Sequence, residues 1–385
     1  MAHTARGGPS PGIIRQVRYT RVIPPVALLA ALSACTQHTP SFNPTPHPTR
    51  PGQVVIIAGD RETSRTPRDG EYAVRVNVRS NGGLTVDQGT GRIYVPIAGD
   101  GGRRIARIEA DGRITMLPVG IADAQLAVSG DHLWQMASYA GLELSRTSLS
   151  SLRTTDVLES DEETDPRFKI LDRHGEPLSA TEADRLNKNW RGSQFALSGT
   201  GVPIVLSRAG QLFEVVGRNV LKRWEPPGYE AALRDLGGAE DFHATELVAD
   251  GPHGVIALGR AGLLRVGADG GVRATEFPRS AKTAPPWTAA LPLSGGAVLL
   301  LGGVSPLQGS PRPALITPDG DLQSLSLGLQ RECDEFDGSM ADVASADPGG
   351  ASKGRDGSYI MLNKFCGVIY SFRLPSHLTS EPYRQ

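Results

Sequence analysis

A unit of four short strands separated by Gly and Asp turns recurs along this chain, and that recurrence restricts the fold more than any other feature. The clearest copy spans 83–117: a strand at 83–87, a Gln-Gly-Thr-Gly turn and a strand at 92–95. A loop with Gly99, Asp100, Gly101 and Gly102 then leads to 104–108, and Asp111-Gly112 turns the chain into 113–117. The runs are β-branched or alternating and bounded by turn residues, so the segment reads as an antiparallel meander.

Looser copies follow. The second holds 126–128, 131–134 and 141–144; the third holds 194–197, 203–206, 211–214 and 220–224. The fourth is 246–250, 254–258, 262–266 and 271–274, and the fifth 288–293, 297–301, 313–316 and 321–327. The last has three strands, 341–344, 358–362 and 368–372, while an apolar run at 54–59 stands alone before the first copy. If that run completes the last copy, the sheets close into a ring with no open edge.

Segment 83–117 resembles the repeat of NHL-type β-propellers through Val86-Asp87 and its glycine turn, Ile93-Tyr94-Val95, Arg104-Ile105 and Asp111-Gly112. The resemblance implies an all-β propeller of about six four-stranded blades, with five or seven left open. Some related propellers place histidines and a metal at the axis; others serve as extracellular sensor domains of bacterial kinases.

In a meander blade, the turns after the first and third strands lie on one face. The second-to-third loops and the connections between blades lie on the other. The long segments 61–81, 159–192, 225–244, 302–312 and 330–340 all fall on this second, insertion-bearing face; a glycine-rich turn at 347–356 is the exception. Ser179 as N-cap with Glu182 three residues on reads as a capping box, and Ala183, Leu186 and Trp190 recur at helical spacing, which predicts a helix over 180–190. A second helix is expected over 229–236, between Pro226-Pro227 and Gly237-Gly238. Both insertions either contact a partner or cap blade edges and the channel.

The N-terminus carries Arg15, Arg18 and Arg21 with no acidic residue before position 22. The apolar run at 22–32 suits a signal-peptide core and is short of the roughly 20 residues of a membrane-spanning helix. It ends in Leu32-Ser33-Ala34-Cys35, which resembles the lipobox of bacterial lipoproteins. The resemblance implies cleavage before Cys35 and acyl chains, palmitate among them, on that residue, enough for lasting membrane attachment. Five prolines between 36 and 52 make an extended tether. The expected organisation is a signal peptide at 1–34, a lipidated tether at 35–52, a propeller at 53–374 and a tail at 375–385. The tether is expected to join near the insertion-bearing rim.

Net charge is −1, which argues against a nucleic-acid partner. Cys333 and Cys366 remain after Cys35, and an exported chain permits them to pair as a disulfide. No catalytic motif is present, and no cofactor or metal is expected. Among the histidines, His243 is best placed, just before an inner strand; His132 and His253 fall on the opposite face and His174 lies in an insertion. The acidic loop around Asp334-Glu335-Phe336-Asp337 reads as solvated, with calcium binding as the alternative. The run at 159–163 also reads as solvated.

The expectation is a monomeric, membrane-anchored envelope lipoprotein whose propeller binds a small ligand or an envelope protein as a binding or sensor module. The alternative is a lyase or hydrolase with its site at the channel mouth. Trp190, Tyr229 and His243 are the candidate binding-face residues, the two aromatics as exposed anchors, with Trp190 pinning its helix to the disc as the alternative.

Overall fold

The computed structural model describes residues 46–379, apart from 81, 98–103, 122, 140, 160–167, 188–189, 252–253, 268, 279–286, 303–312, 328–332, 334 and 345–347. The leader, Cys35, most of the tether and His253 lie outside the described residues. The described strands form six sheets, five of them antiparallel throughout. Blade 1 contains Thr85–Val86, Ile93–Ile97, Arg104–Ile108 and Ile114–Leu117; blade 2 contains Gln125–Ser129, His132–Ala137, Glu143–Ser148 and Thr154–Leu158. Blade 3 has Gln194–Leu197, Pro203–Leu206, Leu212–Gly217 and Val220–Trp224, with Lys169–Leu171 added in parallel outside Val220–Trp224. Blade 4 is Ala244–Asp250, Gly254–Gly259, Gly262–Val266 and Val272–Glu276; blade 5 is Trp287–Pro292, Val298–Gly302, Ala314–Ile316 and Leu322–Ser324. Blade 6 takes Pro348–Lys353, Tyr359–Asn363 and Val368–Phe372 from the end of the chain and Val54–Ala58 from its beginning. The first strands of successive blades neighbour one another around a closed ring. The protein is a six-bladed β-propeller.

Packing between blades explains the sequence of the middle strands. Each blade is covered on both faces, so these strands are apolar on both sides instead of alternating with polar residues. Val298–Gly302 is buried throughout. Leu299 and Leu301 enter the apolar cluster shared with blade 6, while Val298 and Leu300 enter the one shared with blade 4. Six such clusters fill the six gaps. Truncating one of these leucines to alanine costs about 2–5 kcal/mol, a large fraction of a typical domain's stability.

The expected ring closure is present: Val54 lies opposite Phe372, Val55 opposite Ser371 and Ile56 opposite Tyr370. The disulfide joins Cys333 to Cys366, with Cα atoms 5.5 Å apart. It fastens the second-to-third loop of blade 6.

Several expectations need correction. Residues 341–344 are not a strand. Met340–Ala344 is a helical turn, because Gly338 N and Ser339 N donate to Asp342 Oδ2 at 3.0 and 3.1 Å and start it. The inner strand of blade 6 is instead Pro348–Lys353, within the stretch read as a glycine-rich turn. Glycine is needed there by close approach: a Cβ on Gly349 would lie 2.7 Å from Leu362 Cδ2, and Gly350 has φ +121° against the backbone of Leu84. Blade 2 also has a fourth strand, Thr154–Leu158, which is mostly polar and exposed.

The tether does not join at the insertion-bearing rim. Gly52 N donates to Arg373 O at 2.9 Å, Arg373 N donates to Gln53 O at 3.1 Å, and Arg373 Nε donates to Pro48 O at 2.8 Å. Arg373 follows Phe372, which sits beside Tyr359 and the 354–357 turn. Residues 48–53 are therefore held on the opposite face, built from the short turns. Ala58, which leads into 61–81, and Val54, where the tether enters, are opposite ends of one strand and so lie on opposite faces. No described helix is long and apolar enough to cross a membrane.

Candidate functional site: the central channel

The two helical insertions do not reach the axis. Ser179 Oγ accepts Glu182 N at 3.3 Å and caps the helix Ala180–Asn187 (α1), as the sequence suggests. Leu186 and Trp190 then enter the gap between blades 2 and 3. Trp190 is 1% exposed, set edge-on between Phe168 and Phe213 with ring centroids 6.0 and 5.1 Å away. Tyr229 opens the helix Tyr229–Asp235 (α2) and is 3% exposed. Its hydroxyl donates to Gly210 O at 2.7 Å, and burial pushes its phenol well above the ordinary range. Leu233, Leu236 and Phe242 complete this plug over blades 3 and 4. Neither aromatic is the exposed anchor expected: each is large enough to fill a gap between blades, and burial there gains more than exposure.

His243 follows the helix Gly238–Phe242 (α3) in a left-handed conformation, φ 40°, just before the inner strand of blade 4. It is half-buried and stands outside the channel lining. His132 lies on the turn face, and His174 is exposed with Arg173 Nε donating to its Nε2 at 3.0 Å. Among the described residues, no group of three or more His, Cys, Asp or Glu side chains is placed to hold a metal. Within the acidic loop, Phe336 stacks on Tyr370 at 5.9 Å with the Arg61 guanidinium over it, and Asp337 Oδ1 accepts Ser339 N. Asp334 lies outside the described residues.

The inner strands enclose a channel of about 970 Å³. Its insertion-side end is polar. Gln125, Gln194 and Glu246 occupy matching positions near the start of the inner strands of blades 2, 3 and 4, opposite Met136, Leu206 and Leu258. Gln125 Oε1 accepts Phe195 N at 2.9 Å, and Gln125 Nε2 donates to Gln194 Oε1 at 2.5 Å. Glu246 Oε2 accepts Ala290 N in the same manner. An inner strand has no sheet partner on its axial edge, so Gln125 and Glu246 satisfy backbone N–H groups otherwise orphaned in the channel wall, while Gln194 Nε2 donates to Gly192 O at 3.2 Å. That structural role alone needs only an amide. Glu246 is a carboxylic acid, and burial raises its pKa to about 8 against the opposing effects of Ala290 N–H and of the Lys364 charge. It is largely protonated at neutral pH.

Lys364 reaches this mouth from the second-to-third loop of blade 6. Its stem passes over Gly349, where a Cβ would lie 2.7 Å from both Cγ and Cε. Cys366 N donates to Asn363 Oδ1 at 3.2 Å, and the disulfide at Cys366 anchors the loop. The Thr288 hydroxyl, also in the lining, is buried with no hydrogen-bond partner among the described residues. Two large aromatics are exposed on the same face, Tyr139 at 76% and Phe365 at 70%, with Arg191 stacked over the former.

None of these channel or rim residues stands out in the sequence. Polar residues on an inner strand carry no motif, and only ring closure brings those of different blades together. A weak signal existed in Gln125, Gln194 and Glu246, polar residues at equivalent places in three copies.

No family model matches the chain, and no curated protein matches it in sequence. Solved structures similar to it include a structural-genomics protein of unknown function from Bacteroides thetaiotaomicron, with 12% identity and a TM-score of 0.53, covering 83% of this chain and 75% of that one. Others are auxiliary nutrient binding proteins. The one from Bacteroides ovatus has 8% identity and a TM-score of 0.51, covering 83% of this chain and 76% of the other. The one from Bacteroides thetaiotaomicron has 9% identity and a TM-score of 0.50, covering 83% and 75%. At these identities the likeness concerns the fold.

Proposed function

We propose that this chain is an exported, lipid-anchored binding module that takes a small polar molecule into the insertion-side mouth of its central channel. The observation that carries the reading is the convergence of Gln125, Gln194, Glu246, Thr288 and Lys364 from five blades on one open cavity. A lining used only for structure would gain by closing over with apolar side chains, as the gaps between blades do. Two propellers of similar fold are described as nutrient-binding proteins, in keeping with this reading. The enzyme alternative calls for converging His, Tyr or carboxylate groups. The described lining offers Glu246 at the insertion-side mouth and Asp123 at the rim.

Export is supported by the Cys333–Cys366 disulfide, since such bonds persist in oxidising compartments.

Filling the channel tests the function. Ala127 and Ala351 are small, half-buried lining residues on blades 2 and 6. Ala351→Trp and Ala127→Trp should abolish capture of the small molecule that co-purifies with the parent from its native envelope, read by native mass spectrometry on the folded fraction, since each alanine also packs against a gap between blades and the tryptophan lowers the melting temperature. Undiminished capture by both folded variants would exclude the channel as the site.

A further inference from the structure

Among the described residues, four charged side chains line the channel, and their positions are unequal. Asp123 is exposed at the insertion-side rim and Lys353 is exposed at the turn-face end, opposite Tyr359. Glu246 and Lys364 are both half-buried at the insertion-side mouth. Lys364 has no hydrogen bond or ion pair among the described residues. Its loop is nevertheless tied down by the disulfide and by Asn363, and its stem is guided over Gly349. A cation partly withdrawn from water, positioned and unpaired, carries a solvation cost that an anion within the channel would offset. Further along the channel the lining turns apolar, with Ala127, Val248, Ala249, Ala351 and Pro292.

We propose that the ligand is a small organic monocarboxylate, whose anionic end pairs with Lys364 beside the Glu246 carboxyl while its apolar remainder lies along the alanine- and valine-lined channel. This rests on the channel being the binding site. One ammonium and one carboxyl hydroxyl match the two oxygens of a carboxylate, and the single cation balances its single charge, whereas a phosphate dianion would bring a second charge with no cation to meet it. A cationic ligand would meet Lys364 with the same sign of charge, and Glu246, held protonated at neutral pH, does not offset it. Above pH about 8 Glu246 ionises, cancels the Lys364 charge locally and repels the ligand, so affinity falls as pH rises through that range. Of the other charged groups along the lining, Asp123 at the rim and Lys353 at the far end are both exposed.

The test is calorimetric titration of the full chain with benzoate, benzamide and benzylammonium at pH 7 and pH 9. Benzoate should bind at least tenfold tighter than either analogue at pH 7 and lose several-fold in affinity by pH 9. Lys364→Met should bring benzoate down to the level of benzamide, Lys364→Arg should keep the preference, and Glu246→Gln should flatten the pH dependence. Equal or tighter binding of benzamide or benzylammonium, an unaffected Lys364→Met variant, or no binding of any probe at millimolar concentration would overturn the proposal. The two readings separate through Ala351→Trp. If a neutral or cationic probe binds the parent and is lost in that variant, the channel site stands and only the anion is wrong. If Ala351→Trp binds benzoate as the parent does, the channel reading itself fails.

Discussion

Arg373 Nε donates to the Pro48 carbonyl at 2.8 Å, and this bond marks where the N-terminal segment becomes part of the propeller. Downstream of it, Val54–Ala58 is the outer strand of blade 6. Deleting 36–46 should leave the melting temperature within a degree or two of the parent. Deleting 53–59 should lower it by far more, because blade 6 then exposes an edge and the ring opens. Thermal unfolding followed by circular dichroism compares them.

The Cys333–Cys366 bond closes a loop of 33 positions. The chain-entropy account assigns such a crosslink about 3–4 kcal/mol. The Cys333→Ser/Cys366→Ser double variant should lose stability of that order in urea titration. It should also lose ligand affinity, since Lys364 sits two residues from the anchored sulfur.

Trp190 is a gap filler, so Trp190→Ala should cost about 3–5 kcal/mol of stability. Trp190→Phe should recover much of that, and neither should alter ligand affinity in the fraction that remains folded. Chemical denaturation combined with titration separates these effects. Tyr139, exposed on the same face, should show no stability loss when replaced by Ala.

Glu246 makes stability depend on pH in a calculable direction. Its folded pKa of about 8 lies above the ordinary carboxylate value, so the folded state binds the extra proton. Stability is therefore fullest below pH about 4 and declines as pH rises toward 8, then levels off. The full shift corresponds to roughly 5 kcal/mol, and water in the channel reduces it to about 1–3 kcal/mol. Glu246→Gln should remove this component: the variant should gain on the parent between pH 5 and pH 9 in denaturant titrations.

The parts of the fold legible in the sequence are those where local pattern and tertiary role agree. The unit at 83–117 is β-branched because its strands are buried on both faces, and the run at 54–59 could be matched to the last blade because a ring must have no free edge. The inner strand Pro348–Lys353 was not legible: Pro, Gly and Ser occupy it because of close backbone approach, against their ordinary strand preference. Trp190 and Tyr229 show a related limit. An aromatic in an insertion looks the same in sequence whether it faces a partner or a gap between blades, and here the T-shaped contact with Phe213 decides. The channel site was hidden for a topological reason, since Gln125, Glu246 and Lys364 become neighbours only through the closure that Val54–Ala58 completes.

The most direct measurement is a crystal structure of the protein purified from its native envelope without exchange of bound small molecules. The account predicts ligand density at the insertion-side mouth, within hydrogen-bonding distance of Lys364 and Glu246 and extending toward Ala127 and Ala351. An empty channel with ligand or partner density on the outer surface of α1 or α2 would contradict it.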